Sequence, residues 1–478
     1  MREHRQFYID GQWVDPAKTR DCEVIDPSTE EPCAVISLGS AVDTDAAVAA
    51  ARRALPGWSE TPPAERIAYI EKMAEIYERR IDEMAEVISM EMGAPKAWAR
   101  GAQAAAGLGN IQGCIAAARQ VQFDHPLGTA EGAHILKEPI GVVGMITPWN
   151  WPVSQTTLKV PFAMAAGCTM VLKPSEFAPL DSILLAEIID EAGVPAGVFN
   201  LVNGDGEGVG AVLSAHPDVD MISFTGSTRA GKAISKAAAE TLKRVSLELG
   251  GKGANIVFAD APEGAVKKGA RACFNNTGQS CNAPTRMLVE RPIYDEAVEI
   301  ARETAEATTV GSAHEDGRHI GPLVSERQFD RVQALIETGI AEGARLVAGG
   351  PGRPEGFNRG FFVRPTVFAD VTPGMEIEQT EIFGPVLSMI PFDTEEEALE
   401  IANGTAYGLT NYVQTSDPAR RNRLARRLRS GMVEMNYKPR GAGAPFGGVG
   451  LSGRAREGGV WGIEEYLEVK SVSDWAAE

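Results

Sequence analysis

The sequence predicts an α/β protein with helix-covered parallel sheets. Its 478 residues exceed the usual size of one domain and suggest two or three. Short apolar runs alternate with stretches of helical spacing along much of the chain, which is the pattern of β-α-β units. The 51 glycines follow no collagen-like period and therefore indicate tight turns and close backbone approaches, which often serve nucleotide ligands.

Composition excludes several classes of partner. Acidic residues outnumber basic ones by 65 to 46, and the net charge of -19 repels phosphate backbones and anionic membrane surfaces, so we expect neither nucleic acid nor a membrane as partner. The six cysteines form no C-x-x-C pair, and the six histidines form no H-E-x-x-H motif. We therefore predict a reduced, cytoplasmic protein without a metal site. The first residues carry no apolar signal-peptide region.

The predicted elements follow in chain order. Asp10-Gly11 is a turn pair, and residues 43–118 carry apolar residues at helical spacing. Alternation of strands and helices begins after Gly141. The predicted strands of this first region are 142–146, 169–172, 198–202, 221–224 and 245–247.

A second α/β region is predicted from about Asn255 to Val433. It contains candidate strands at 256–258 and 286–289 and a helix at 294–304. The segment 121–137 and the tail after Gly459 fit neither region. Both are interpreted as extended arms that pair with strands elsewhere.

Three glycine-rich loops compete as phosphate sites. Gly226 to Lys232 nearly matches the Walker loop, but Ala233 stands where a hydroxyl must reach Mg²⁺. The stretch starting at Gly206 fits the dinucleotide pattern G-x-G-x-x-A. Alternatively, the turn Thr225-Gly226-Ser227 directs a helix N-terminus at a pyrophosphate. Local sequence leaves the choice open, and any one of these loops could be a plain turn.

Lys173 and Glu176 follow a predicted parallel strand, at the sheet edge where ligands bind in α/β proteins. A carboxylate at position 176 could accept hydrogen bonds from ribose hydroxyls and would repel a 2′-phosphate, which favours NAD over NADP. Alternatively, this segment is only the N-cap of the following helix, and Glu176 has no functional role.

Three further residues are candidates for catalysis. Cys281 lies in a small, polar, turn-like stretch, where a thiol is accessible, whereas Cys273 is interpreted as a core cysteine. Glu248 precedes two glycines and is a candidate general base, or else a solvated glutamate. Asn150, between two tryptophans, is either an oxyanion donor or a turn asparagine.

Seven motifs occur in order along the chain: ITPWNWP, GCTMVLKPSE, FTGSTRAG, LELGGK, GQSCNAPTR, EIFGPV and PFGG. In this combination the sequence strongly resembles the NAD(P)-dependent aldehyde dehydrogenase superfamily, from Phe7 to about Val472. The resemblance implies a Rossmann-type cofactor domain (residues 1–119 and 140–249), an α/β catalytic domain (250–450) and a small β oligomerisation arm (120–139 and 456–478). A homodimer or homotetramer is the implied assembly.

The resemblance also implies the chemistry. Cys281 attacks the aldehyde, Asn150 and the Cys281 backbone N–H hold the oxyanion, and Glu248 activates the water that hydrolyses the thioester. Lys159 and Glu457 match positions of a proton relay.

The implied cofactor is NAD, with NADP less favoured. Lys173 and Glu176 are expected at the adenosine ribose and Glu381 and Phe383 at the nicotinamide ribose. The remaining expected cofactor contacts are Trp149, Gly226 and Ser227 near the pyrophosphate, Gly231 in the nucleotide loop, Gly206 beside it, and Leu249.

One departure from the family pattern is the stretch PFGGVGLSGRARE, where Gly450 replaces a frequent lysine and Ala455 a frequent glycine. It leaves open whether the substrate has an anionic tail. Two other functions also remain: CoA-acylating dehydrogenase chemistry, against which Glu248 argues, and a nucleotide-binding relative without catalysis.

Overall fold

The computed structural model describes residues 2–476. In chain order its strands are β1 Arg2–His4, β2 Phe7–Ile9, β3 Gln12–Val14, β4 Asp21–Asp26, β5 Glu31–Ser37, β6 Asp124–Pro126, β7 His134–Pro139, β8 Val142–Ile146, β9 Thr169–Lys173, β10 Phe199–Leu201, β11 Met221–Thr225, β12 Arg244–Glu248, β13 Ala254–Val257, β14 Arg286–Glu290, β15 Arg345–Ala348, β16 Thr366–Ala369, β17 Val386–Phe392, β18 Thr410–Gln414, β19 Met432–Met435 and β20 Leu467–Val472.

The α-helices are α1 Ala41–Glu60, α2 Pro63–Arg79, α3 Ile81–Met92, α4 Lys96–Trp98, α5 Ala105–Ala118, α6 Pro152–Thr157, α7 Val160–Ala166, α8 Leu180–Glu191, α9 Ala211–Ala215, α10 Thr228–Ala239, α11 Ala265–Phe274, α12 Tyr294–Glu306, α13 Glu326–Ala341, α14 Glu376–Gln379, α15 Glu395–Asn403, α16 Pro418–Arg427 and α17 Gly459–Glu464. Shorter π-helical or 3₁₀ turns lie at Ala99–Ala104, Gly206–Gly210, Asn275–Gly278, Arg291–Ile293 and Gly450–Ser452.

The first seven-stranded sheet has the order β12-β11-β8-β9-β10-β2-β3. Strands β8 to β12 are parallel and match the five predicted strands, because strands buried on both faces read as continuous apolar runs. Strand order reverses between β8 and β11, which is the place where ligands bind in open α/β sheets. The predicted Asp10-Gly11 turn joins β2 to β3, and both residues have positive φ.

The second seven-stranded sheet has the order β15-β16-β17-β14-β13-β18-β19 and is parallel except for β15. The chain passes into it from the first sheet through residues 249–253, between β12 and β13. The carboxyl end of β12 and the amino end of β13 therefore lie close together, and the candidate catalytic residues gather at this crossing. The predicted α/β fold class is confirmed.

The two predicted arms form one antiparallel sheet. Strand β20 pairs with β7 from Leu467↔Pro139 to Val472↔His134, and β6 pairs with the other edge of β7. The prediction of an extended tail from Gly459 was wrong for Gly459–Glu464, which is helix α17. The predicted domain ranges also include residues 1 and 477–478, which lie outside the described part of the chain.

Across residues 2–476, no helix combines the length and the apolar character needed to cross a bilayer. The largely apolar stretch 139–158 divides into the end of β7, β8, a loop and α6. Gly450, which stands where the family pattern often has lysine, has a φ of +61°. A Cβ at this position would lie 2.7 Å from the carbonyl oxygen of Ala406. The backbone itself therefore favours glycine at this position.

Candidate active site

Cys281 follows a turn of left-handed backbone. Asn276, Thr277 and Gly278 have φ values of 54°, 55° and 72°. This conformation is uncommon for the first two residue types, and a Cβ on Gly278 would collide with the carbonyl oxygen of Gly384. The strained turn ends α11 and lifts the cysteine out of the helix.

Buried amides hold this turn in place. The Asn276 side chain donates to the carbonyl oxygens of Asn150, at 3.0 Å, and Gln279, at 3.1 Å. Gln103 donates to Asn276 Oδ1 at 2.8 Å from the far side. All four side chains are buried, so these bonds fix the turn relative to the loop that carries Asn150. Sequence reasoning did not identify Gln103, Asn276 or Gln279.

The structure brings Asn150 to the cysteine loop. Its side-chain nitrogen donates to the carbonyl oxygen of Gln279 at 3.1 Å, which uses one of its two hydrogens. The neighbouring Trp151 indole donates to Ser280 Oγ at 2.8 Å. The second amide hydrogen of Asn150 is thus available for an oxygen that forms beside Cys281.

The Cys281 thiol lies among carboxylates. Burial raises its pKa well above the ordinary value, and the charges of Glu248, Glu381 and Glu457 raise it further, while the Asn282 backbone N–H opposes them. The thiol therefore holds its proton near neutral pH and needs a base to become a nucleophile. Cys273, by contrast, is a core residue, as predicted. Its Sγ lies 3.6 Å from the Val386 carbonyl oxygen.

Glu248 ends β12 as a buried carboxyl group. Within residues 2–476, neither of its oxygens has a hydrogen-bond partner. Burial raises its pKa well above the ordinary value, as does the charge of Glu457, whereas Lys159 and Arg456 lower it. A buried carboxyl with free oxygens and a raised pKa is suited to general-base work.

Lys159 and Glu457 form a buried ion pair. Lys159 Nζ also donates to Thr225 Oγ1 at 2.7 Å, and Thr225 lies opposite Glu248 in the pairing of β11 with β12. Glu457 Oε2 has no hydrogen-bond partner within the described chain. The pair thus lies beside Glu248 and leaves one carboxylate oxygen free to exchange protons.

The predicted cofactor residues share one edge of the first sheet. Lys173 ends β9, and its ammonium group donates to the Gly204 carbonyl oxygen at 2.7 Å and lies 3.5 Å from Glu176 Oε2. Burial lowers the pKa of Lys173, whereas the Glu176 charge raises it. Gly206 opens a π-helical turn after β10, capped by Asp205.

Helix α10 presents its N-terminus at the same edge. Ser227 is its N-cap and accepts from the Ala230 N–H at 3.3 Å, directly after Gly226. A Cβ on Gly231 would lie 2.8 Å from Leu249, so glycine allows the helix to pack closely on that residue. The Leu249 side chain belongs to the hydrophobic core, and its backbone N–H donates to the Ser452 carbonyl oxygen at 2.9 Å.

Glu381 and Phe383 approach this edge from the second sheet. Glu381 Oε1 accepts the Gly251 N–H at 2.8 Å, and burial raises the pKa of Glu381 to about 7. Phe383, with a φ of 61°, packs edge-on against Trp149 at 5.4 Å between ring centroids. The structure thus brings Trp149, Glu381 and Phe383 to one cleft between the sheets.

Lys252 is a further site residue that sequence reasoning named in a motif but gave no role. Its ammonium group is buried and has no hydrogen-bond partner within residues 2–476. Burial and the Arg286 charge lower its pKa to about 8, while Glu381 acts in the opposite direction. The Lys252 ammonium group therefore loses its proton more readily than an ordinary lysine does, and it lies near Glu381.

A metal is not suggested by the side chains. Over residues 2–476, no three histidine, cysteine, aspartate or glutamate residues are arranged so that they could hold an ion.

Comparisons with known proteins agree with this geometry. The model of the aldehyde dehydrogenase family matches residues 13–472. A 3-succinoylsemialdehyde-pyridine dehydrogenase from Pseudomonas sp. is 51% identical, over 99% of each chain. The crystal structure of an aldehyde dehydrogenase from Bartonella henselae has a TM-score of 0.98 at 59% identity and covers 99% of this chain and 100% of its own. That of a cysteine-to-alanine mutant of aldehyde dehydrogenase C from Pseudomonas syringae, complexed with NAD+ and octanal, has a TM-score of 0.97 at 48% identity, with coverage of 99% and 97%.

Proposed function

Because the chain belongs to the aldehyde dehydrogenase family, we propose that it oxidises an aldehyde to a carboxylic acid through a thioester on Cys281. The observation that carries the proposal is the meeting of three groups at one crossing. A thiol on a strained turn, an amide with a spare N–H and a buried carboxyl with free oxygens lie together there. These are the nucleophile, oxyanion donor and base that acyl transfer requires.

The first half of the reaction forms a carbon–sulfur bond. Cys281 loses its proton to Glu248, and its sulfur adds to the aldehyde carbonyl carbon. The oxygen becomes an oxyanion, held by the Asn150 side-chain N–H and the Cys281 backbone N–H. Loss of hydride from the same carbon leaves a thioester. NAD, when bound, supplies the hydride acceptor.

The second half hydrolyses the thioester. Glu248 first gives up the proton that it took from Cys281 and then takes a proton from water. The hydroxide oxygen adds to the thioester carbon, and the carbon–sulfur bond breaks to release the acid. The sulfur leaves as thiolate and regains the proton that Glu248 took from the water. Glu457 and Lys159 relay the proton from Glu248 towards solvent, a role supported by their position beside Thr225 and Glu248.

The residues at the sheet edge fit a dinucleotide. The N-terminus of α10 offers backbone N–H groups to a pyrophosphate, next to Gly226, Ser227 and Trp149. Glu176 with Lys173 would hold the adenosine ribose, and Glu381 with Phe383 the nicotinamide ribose. The Glu176 carboxylate repels a 2′-phosphate, so we propose a preference for NAD over NADP. The NAD+ complex of the Pseudomonas syringae relative supports this cofactor.

We also propose the domain boundaries that the sequence predicts. Residues 1–119 and 140–249 form the cofactor domain, 250–450 the catalytic domain, and 120–139 with 456–478 an oligomerisation arm of a homodimer or homotetramer. The exposed Val469 on β20 and Trp461 on α17 support an assembly role for the arm. Free thiols at all six cysteines support a reducing compartment, the cytoplasm.

The proposal is tested by adding NAD and a panel of alkyl and aryl aldehydes to the purified protein and following NADH absorbance. We expect turnover by the wild type and none by Cys281→Ala. Cys273→Ala, which removes a core thiol, is the matched control and should remain active. No NADH from the wild type, or equal rates with and without Cys281, would reject the proposal.

A further inference from the structure

An ion pair lies at the carboxyl end of β19. Glu434 on β19 accepts a hydrogen bond from Arg440 Nε at 3.1 Å. Arg440 also donates to the Pro445 carbonyl oxygen at 2.9 Å, and its guanidinium lies 5.4 Å from the ring centroid of Phe446. The guanidinium is thus bound by groups of this chain and fixes the loop 436–446, which we call the wall loop.

The register of two strands places Glu434 on the side of the nucleophile. Strands β18 and β19 are parallel, with Tyr412 paired to Glu434, so the two side chains lie on the same face of the sheet. The Tyr412 hydroxyl donates to the carbonyl oxygen of Asn282 at 2.7 Å. Glu434 is therefore one strand away from a side chain that contacts the residue after Cys281.

The other end of the wall loop also reaches the site. Phe446 and Glu457 exchange two backbone hydrogen bonds of 2.8 Å each. Glu457 in turn pairs with Lys159 beside Glu248. One end of the wall loop is thus held near Asn282 through Tyr412 and the other near Glu248 through Glu457.

Carboxyl groups surround the Cys281 thiol. Glu248, Glu381 and Glu457 each raise the pKa of the Cys281 thiol by their charge. The positive charge of Arg440 is already neutralised by Glu434. Uncharged surface next to the cysteine comes from Trp151, whose indole is fixed to Ser280.

We propose that the wall loop borders the path by which an aldehyde reaches Cys281, and that Glu434 determines substrate specificity there, so that the enzyme accepts uncharged aldehydes and discriminates against aldehydes that carry a carboxylate at their far end. Glu434 holds Arg440 in an ion pair, so the guanidinium charge is not available to such a carboxylate, whereas Glu434→Gln would free it. This inference rests on the proposed function, since it names the substrate class of that same site.

The kinetic test compares succinic semialdehyde with its methyl ester, which differ in the charge at the far end. We expect the wild type to show a kcat/KM at least about tenfold higher for the ester, and Glu434→Gln to reduce the ratio about tenfold. Glu296→Gln, an exposed glutamate on α12, is the matched control and should leave the ratio unchanged. Equal use of acid and ester by the wild type, or a ratio unchanged in Glu434→Gln, overturns the proposal.

A second measurement does not depend on turnover. Iodoacetamide and iodoacetate alkylate thiols and differ mainly in charge, so their relative rates at Cys281, normalised to glutathione, report the charge along the path. We expect iodoacetamide to be favoured in the wild type and less so in Glu434→Gln, and no preference in the wild type contradicts the proposal. Absence of NADH with every aldehyde of the panel, together with a preference in alkylation, would reject the proposed function and leave the charge selection standing.

Discussion

The Asn276 side chain donates a 3.0 Å hydrogen bond to the backbone carbonyl oxygen of Asn150. This bond joins the strained turn before Cys281 to the loop that carries the proposed oxyanion donor. The distance between nucleophile and donor is therefore fixed by a residue that touches neither reactant, and Asn276 is a positioning residue.

Replacing Asn276 should disturb catalysis more than cofactor binding. Asn276→Ala removes the bonds to Asn150 and Gln279 and places alanine in left-handed backbone. We expect kcat/KM for the aldehyde to fall about tenfold or more, because small misplacements of reacting groups are costly. The NAD dissociation constant should not change. Asn275→Ala, at an exposed neighbouring position, is the control and should keep the wild-type kcat/KM. A wild-type kcat/KM in Asn276→Ala would contradict the positioning role.

Glu248→Gln should separate the two halves of the reaction. Glutamine cannot deprotonate the hydrolytic water, so steady-state turnover should fall about a hundredfold or more. A burst of NADH should persist in stopped-flow traces, slower than in the wild type because the Cys281 thiol must then lose its proton to water. Loss of the burst would mean that Glu248 matters chiefly for generating the thiolate. Turnover that depends on added CoA and yields an acyl-CoA would support the acylating alternative instead.

Glu176→Ser should relax the choice of cofactor. The substitution removes the Glu176 carboxylate, three residues after the end of β9, and with it the repulsion of a 2′-phosphate. The Lys173 charge remains. We expect the ratio of kcat/KM with NADP to that with NAD to rise about tenfold. An unchanged ratio would show that the adenosine ribose lies elsewhere.

A buried acid pair should make stability depend on pH. Glu91 accepts the backbone N–H groups of Leu180 and Asp181 at the start of α8, and burial raises the pKa of Glu91 well above its ordinary value and that of Asp181 to about 7. Because both folded-state pKa values are raised, their contribution to the free energy of unfolding is complete below about pH 4 and is lost as pH rises towards 7.

This dependence can be measured by thermal unfolding. Between about pH 5 and about pH 8, the Tm of Asp181→Asn should fall less than that of the wild type, by about 2 °C. Asp218→Asn, at an exposed position, should behave like the wild type. Parallel Tm profiles for all three proteins would show that the pair does not titrate in this range.

Local sequence predicted the first sheet well because β8 to β12 are buried strands flanked by turn residues. It did not predict that β2 and β3 extend this sheet, since the pairing of Tyr8 with Leu201 joins residues far apart in the chain. It likewise missed helix α17, where two glycines precede a single apolar turn.

The candidate site shows the same limit. Cys281, Glu248 and Asn150 lie in recognisable motifs, whereas Gln103 lies in a helix and meets Asn276 across 173 residues of chain. Lys252 is in a motif, but the buried, unpartnered state of its ammonium group arises only when the second sheet packs around it. Such contacts depend on tertiary packing and leave no local pattern.

In the proposed reaction an acyl group forms on Cys281. The most direct test mixes Glu248→Gln with NAD and an uncharged aldehyde, quenches in acid and analyses the peptides by mass spectrometry. We expect an acyl thioester on the peptide containing Cys281, in an amount equal to the NADH released. NADH release with no acyl group on Cys281, or with the acyl group on another residue, would contradict it.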